Sequence, residues 1–159
     1  MAIIIRPAER RDLTALGRMG AALMQTHYAF DSQRFLSPSD DAEAGYVHFL
    51  GSQLDKEDTV VMVADLDGAV AGYVYAGVEP LSWKELRDEA GFIHDLLVLD
   101  EARNSGVGQQ LLDAAIAWLR QRGMPRTVLW TAATNTGAQR LFRRRGFRST
   151  MMEMTLELD

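Results

Sequence analysis

The 159-residue chain contains no cysteine, which excludes disulfides, thiolate nucleophiles and zinc-thiolate centres. A cysteine-free chain suits a cytoplasmic, reducing setting. Nor is there an apolar run approaching the ~20 residues of a membrane span, so a membrane protein is not expected. The opening Met1-Ala2-Ile3-Ile4-Ile5-Arg6-Pro7 has no charged start and no small-residue cleavage site, and reads as a strand rather than a secretory signal. Repeats, low-complexity segments and linkers are also lacking. What is present is ordinary for a soluble globular chain: 47% hydrophobic and 25% charged residues, in a length that fits one domain with a proper core.

A net charge of -5 hides an asymmetry. Between Asp31 and Glu101 there are 16 acidic and 4 basic side chains, whereas Ala102 to Arg148 carries 1 acidic and 9 basic. The basic third suits a ligand with several phosphates and the acidic middle a cationic co-substrate, the bland alternative being two solvated faces that happen to segregate. Nucleic acid is disfavoured by the acidic total and the shortness of the basic part.

The most informative stretch is Phe92 to Gly123. Phe92-Ile93-His94-Asp95-Leu96-Leu97-Val98-Leu99 is too short and apolar for a helix and reads as a strand. An acidic turn, Asp100-Glu101-Ala102, leads into Arg103-Asn104-Ser105-Gly106-Val107-Gly108. Apolar residues then recur at Leu111, Leu112, Ala115, Ile116 and Leu119, the spacing of a helix. Strand, loop and helix in that order aim free N–H groups and the positive end of a helix dipole at whatever lies beyond the strand, and an anion such as phosphate suits that place. Two better-known phosphate loops do not fit. Walker A needs Gly-Lys-Ser/Thr, and the dinucleotide fingerprint needs a small residue where Leu111 stands.

The rest of the chain falls into short elements. Ile3 to Arg6 reads as a strand ended by Pro7. Asp12 caps a helical pattern through Leu13, Leu16, Met19, Leu23 and His27, and Ser39-Asp40-Asp41 caps a second helix through Leu54. Thr59 to Leu66 and Ala69 to Val78 are strands joined by Asp67-Gly68, a hairpin turn. Pro80 to Ala90 is a loop or one short helix. Thr127 to Thr131 is a strand, Asn135 to Arg145 a helix closed by Gly146, and Phe147 to Leu158 a last strand with Met152, Met154, Leu156 and Leu158 on one side.

Arg103-x-x-Gly106-x-Gly108 after a strand resembles the acetyl-CoA pyrophosphate loop of the GNAT family of N-acetyltransferases. Asn135-x-x-Ala138-x-x-Leu141-Phe142-x-x-x-Gly146-Phe147 resembles that family's second helical motif, at the expected distance. The element order β-α-α-β-β-β-α-β-α-β is similar to the GNAT fold from end to end. The resemblance implies an α/β fold with a mixed, mostly antiparallel sheet flanked by helices, one N-acetyltransferase domain over residues 1–159, and acetyl-CoA as co-substrate without a metal.

It also implies transfer of acetyl to an amine by direct attack in a ternary complex. By resemblance, the cofactor site comprises Leu97, Val98 and Leu99 at the end of the central strand, the loop Arg103, Asn104, Ser105, Gly106, Val107 and Gly108, then Asn135, and Arg143 from the basic cluster. Asn135 has a second role open to it, capping the helix it begins. His94 is the candidate base, at a position where several amine-acetylating members carry glutamate or histidine; imidazole suits proton transfer at neutral pH. On a regular strand it shares a face with Phe92 and Leu96 while Asp95 points the other way, and the alternative is a packing histidine. His27, Tyr28, Asp31 and Asp95 are the candidate residues for the amine. Phe142 departs from the family, which often has a tyrosine there to protonate the thiolate. Two classes stay open: an N-acetyltransferase for a small-molecule or peptidyl amine, and an acyl-CoA-binding module without catalysis. Exposed edges of a mixed sheet make a homodimer plausible.

Overall fold

The computed structural model describes residues 2–159. Its elements are β1 (Ile3–Pro7), α1 (Leu13–Phe30), α2 (Ala42–Gln53), β2 (Thr59–Leu66), β3 (Ala69–Glu79), β4 (Ala90–Val98), α3 (Val107–Gln121), β5 (Thr127–Leu129) and α4 (Thr136–Arg145). The strands form one sheet in the order β1-β2-β3-β4-β5, in which β1 to β4 are antiparallel and β4 and β5 run parallel. Asp67 and Gly68 both adopt positive φ, 53° and 92°, the geometry a tight two-residue hairpin requires. The Asp65 carboxylate fixes this turn by accepting the Gly68 N–H at 2.7 Å.

Each face of the sheet is covered by one pair of helices. On one face Leu111, Leu112, Ala115, Ile116 and Leu119 of α3, with Phe142 of α4, pack on Ala64, Val74, Ala76 and Ile93. This is the helical spacing read from the sequence, and burying such a stripe is what holds an amphipathic helix on a sheet. On the other face Leu16 and Met19 of α1 and Leu50 of α2 meet Val61, Val63, Tyr73, Tyr75 and Leu97. Close approach of α1 and α2 depends on Gly20, where a Cβ would lie 2.1 Å from the Tyr46 ring.

Four expectations are corrected. Asp12 does not cap α1: its carboxylate, 5% exposed, receives two hydrogen bonds from Arg6 at 2.8 and 3.0 Å and one from the Glu9 N–H at 2.8 Å. A buried carboxylate is held by the nearest charged donor, and that pairing overrides the cap. The pairing with β5 ends at Leu129, short of Thr131. Residues 148–159 do not form a strand with the sheet, since a strand exists only where an edge receives it, and here no edge does. Finally, the alternation of β4 is broken. Tyr75 opposes Asp95 while Ala76 opposes Ile93, so His94 is an extra residue in the ladder, a β-bulge. Beyond a bulge the alternation resets, which places His94 and Asp95 on the same face, with Tyr73, Tyr75 and Leu97, and turns Leu96 to the α3 side.

Candidate active site

β5 pairs with β4 only from Gly91 to Ile93. β3 continues along one side of β4, but among the described residues no strand pairs with its other side from His94 to Val98, so on the β5 side the sheet opens into a notch flanked by α3 and α4. The notch ends at the N-terminus of α3. There Asn104 and Gly106 both take positive φ, 62° and 88°, turning the chain sharply into the helix. Among the described residues no side chain caps α3, so its first-turn N–H groups stay available, and nothing beyond the adjoining chain lies within 4 Å of where a Gly106 Cβ would be. An anion could therefore approach the backbone of Gly106, Val107 and Gly108 without obstruction.

Two side chains of this loop are spent on holding it. Arg103 donates from Nε to the Val98 carbonyl at 3.3 Å and pairs with Asp100 at 3.0 Å, tying the loop to the end of β4. The Ser105 hydroxyl donates to the Ala102 carbonyl. Asn135 caps α4, its Oδ1 accepting the Ala138 N–H at 3.2 Å, which leaves its amide NH2 free. Arg143 is exposed on the last turn of α4, while its neighbour Arg145 is bound to Asp113 at 2.5 Å. Phe142 is a core residue whose ring packs 5.9 Å from that of Phe147.

On the α1/α2 face the bulge assembles a titratable cluster. The His94 ring stacks against Tyr75 at 4.8 Å and Phe92 at 5.7 Å, and its Nε2 lies 3.1 Å from Oε1 of Glu79, the last residue of β3. Asp95 is bound by the Tyr73 hydroxyl at 2.9 Å. Burial pushes the Asp95 carboxyl up, opposed by that hydrogen bond and by the imidazoles of His94 and His27. Burial, helped by the Asp95 charge, pushes the Tyr75 phenol up to about 12 and raises those of Tyr46 and Tyr73 as well. These phenols hold their protons and act as donors: Tyr73 to Asp95, Tyr75 to Gln53 at 2.9 Å.

Next to His94 lies a cleft of about 500 Å3, lined by Glu79, Pro80, Leu81, Arg87, Phe92 and Trp130 among others. Arg87 lies over the Phe92 ring at 4.8 Å and binds Glu85, so Glu79 is the carboxylate of the cleft that His94 alone engages. Of the α1 candidates, His27 is nearest the cluster: its Nδ1 donates to the Leu23 carbonyl at 2.9 Å and its ring meets Phe35 at 5.0 Å. Tyr28 is half-buried on the same helix, and Asp31 forms a turn by accepting the Gln33 N–H at 3.1 Å. Neither of these lines the cleft. Sequence reasoning missed Glu79, Tyr73, Tyr75 and Trp130. A signal existed for Glu79, the one charged residue closing an otherwise apolar strand.

A sheet notched beside its fourth strand, with an uncapped helix N-terminus at the end of the notch, leaves an open path along β4 to a place suited to an anionic group. Residues 22–147 match the sequence profile of the Acetyltransferase (GNAT) family. The chain belongs to that family. It is similar to an uncharacterized N-acetyltransferase of Archaeoglobus fulgidus, 35% identical over 89 residues, or 56% of this chain and 60% of that one. The uncharacterized N-acetyltransferase YhfO of Bacillus subtilis is 29% identical over 145 residues, 90% of this chain and 88% of its own. Among solved structures, the aminoglycoside N-acetyltransferase AAC(6')-Iy in complex with CoA superposes with a TM-score of 0.78 at 20% identity, covering 99% of this chain and 95% of that one.

Proposed function

We propose that the protein is an N-acetyltransferase that moves acetyl from acetyl-CoA to a primary amine of a small molecule or peptide, by direct attack in a ternary complex. One observation carries this reading: the His94–Glu79 pair stands at the first residue of β4 that β5 leaves unpaired, between the notch and the cleft. An acyl donor in the notch and an amine in the cleft would meet there.

The residues present fit acetyl-CoA. The backbone of Gly106, Val107 and Gly108 would hold its diphosphate, with the Asn104 side chain as a further donor. The open side of Leu97, Val98 and Leu99 would take the pantetheine arm, and the free amide of Asn135 could reach it. Arg143 would meet the remaining phosphate. Bound there, acetyl-CoA supplies a thioester activated toward amines. Glu79 attracts the ammonium form of the acceptor and fixes the His94 ring by accepting Nε2–H, which leaves Nδ1 with a lone pair for the ammonium proton. Stacking between Tyr75 and Phe92 restrains that ring. Phe92 and Trp130 offer apolar surface to the body of the amine.

The test is free-thiol release from acetyl-CoA with a panel of amines, run without background because the chain has no thiol of its own. Amine-dependent release that falls at least tenfold in His94→Ala is the expected result. A second reading, an acyl-CoA-binding module without transfer, is favoured by Phe142, which places an apolar ring where a proton donor often stands. Tight acetyl-CoA binding without thiol release for any amine would establish it.

A further inference from the structure

Trp130 stands where the sheet opens. The last pair of the β4–β5 ladder joins Ile93 to Leu129, so the next residues along, His94 and Trp130, flank the start of the gap. Trp130 is 74% exposed, yet its ring is held: it meets Phe92 with centroids 6.2 Å apart and planes at 86°. Phe92 in turn stacks on His94 at 5.7 Å, and His94 lies on Tyr75 at 4.8 Å. An aromatic row therefore runs from the candidate base to the wall of the cleft, and its outermost ring is open. Leu81, 54% exposed, is a second open apolar wall.

The charges of the cleft nearly cancel. Two carboxylates and two cations line it, Glu79 and Glu85 against Lys84 and Arg87. Glu85 is taken by Arg87, which donates to it from Nε at 2.8 Å and from Nη2 at 2.5 Å. Among the described residues of the cleft, Glu79 is thus the carboxylate left for a ligand's ammonium, and a second ammonium would meet Arg87 and Lys84 instead. Asp95 does not line the cleft and holds the Tyr73 hydroxyl.

We propose that the acceptor is a small aromatic monoamine, an aryl group joined to one primary ammonium by a short alkyl chain, and that Trp130 selects it. The proposal rests on the acetyl-transfer reading above and narrows its acceptor. The aryl ring lies against Trp130 with Leu81 beside it, and the ammonium sits at Glu79 next to His94. Burying one ring between apolar walls rewards an aromatic body, and a cleft of about 500 Å3 is the size of a small-molecule site. Polyhydroxylated or peptidyl bodies suit it poorly, because Leu81 and the ring faces of Phe92 and Trp130 offer no partner to hydroxyls or amides, and burying those unpaired is costly. Polyamines are disfavoured by the two cations.

Phenethylamine is the probe, compared with spermidine and with a lysine-containing peptide blocked at its N-terminus. In the thiol-release assay its kcat/KM should exceed that of either competitor by about tenfold or more. Trp130→Ala should raise the KM for phenethylamine by about tenfold with kcat nearly kept, and Trp130→Phe should recover most of that loss. The position is exposed, so both variants should fold, as circular dichroism would verify. Calorimetry with phenethylamine in the presence of CoA separates this inference from the transfer reading. If no amine releases thiol, phenethylamine binding that weakens about tenfold in Trp130→Ala still supports the aromatic site, and transfer alone fails. Spermidine or the peptide used as well as phenethylamine, or phenethylamine whose binding and turnover are absent or indifferent to Trp130→Ala, overturns the proposal.

Discussion

Oε1 of Glu79 and Nε2 of His94 face each other at 3.1 Å across the β3–β4 ladder, just where the bulge at His94 interrupts it. The bulge makes this pairing possible, because Glu79 lies opposite Ala90 in the register, four residues from His94 along β4. Only the residue extruded by the bulge is turned so that its ring edge reaches the carboxylate while its faces rest on Tyr75 and Phe92.

If the pair works as a unit, its two members cannot contribute independently. His94→Ala should lower kcat/KM by about 10²-fold and Glu79→Gln by about tenfold, with acetyl-CoA affinity nearly unchanged. The double variant should be close to His94→Ala alone. Losses that multiply in the double variant would show that the two residues act separately.

Asp95 offers a prediction with opposite signs for stability and activity. Its carboxyl is raised by burial, so the folded state disfavours the ionised form; the cost is present above the ordinary carboxylate range and vanishes as pH falls below it. Asp95→Asn keeps an acceptor for the Tyr73 hydroxyl and removes the charge. It should raise Tm at pH 7 to 8 by about 3 °C, corresponding to about 1 kcal/mol, with the gain disappearing at low pH. Activity should fall at the same time if the charge serves the amine. A Tm gain independent of pH would refute the electrostatic explanation.

Gly106 should separate cofactor binding from folding. A Val there places a Cβ where, among the described residues, nothing beyond the adjoining chain lies within 4 Å, but at φ 88°. The strain should cost about 1–2 kcal/mol of stability. Acetyl-CoA affinity measured by calorimetry in the folded variant should fall at least tenfold, about 1.4 kcal/mol. Gly108→Ala is the control: its Cβ would meet Leu141 at an ordinary 3.4 Å, so stability should barely change.

The Arg6–Asp12 pair should set the acid limit of the fold. The Arg6 guanidinium holds the Asp12 carboxyl below the usual carboxylate range, so the stability it confers is complete above that range and is lost as pH falls through the depressed value. Asp12→Asn leaves Arg6 without its main partner and should cost about 3 kcal/mol at neutral pH. Denaturant titrations of both proteins should converge as pH falls below the ordinary carboxylate range and through the depressed value. A constant difference across that range would place the stabilisation in packing rather than charge.

The sequence by itself determined what neighbours along the chain decide. The Asp67-Gly68 turn, the α3 stripe, the Gly106 entry and the Asn135 cap each depend on residues within a few positions of one another, and each is found where its pattern places it. Tertiary structure decided what depends on which residues come to oppose one another. Strict alternation put Asp95 on the far side of β4, but register with β3 forced a bulge that brought it round to His94. Asp12 reads as a helix cap until it and Asp65 are seen to converge on Arg6 of β1. The alternating tail after Phe147 has every local property of a strand and still lacks one. Backbone pairing needs an edge, and no pattern within the segment can supply it.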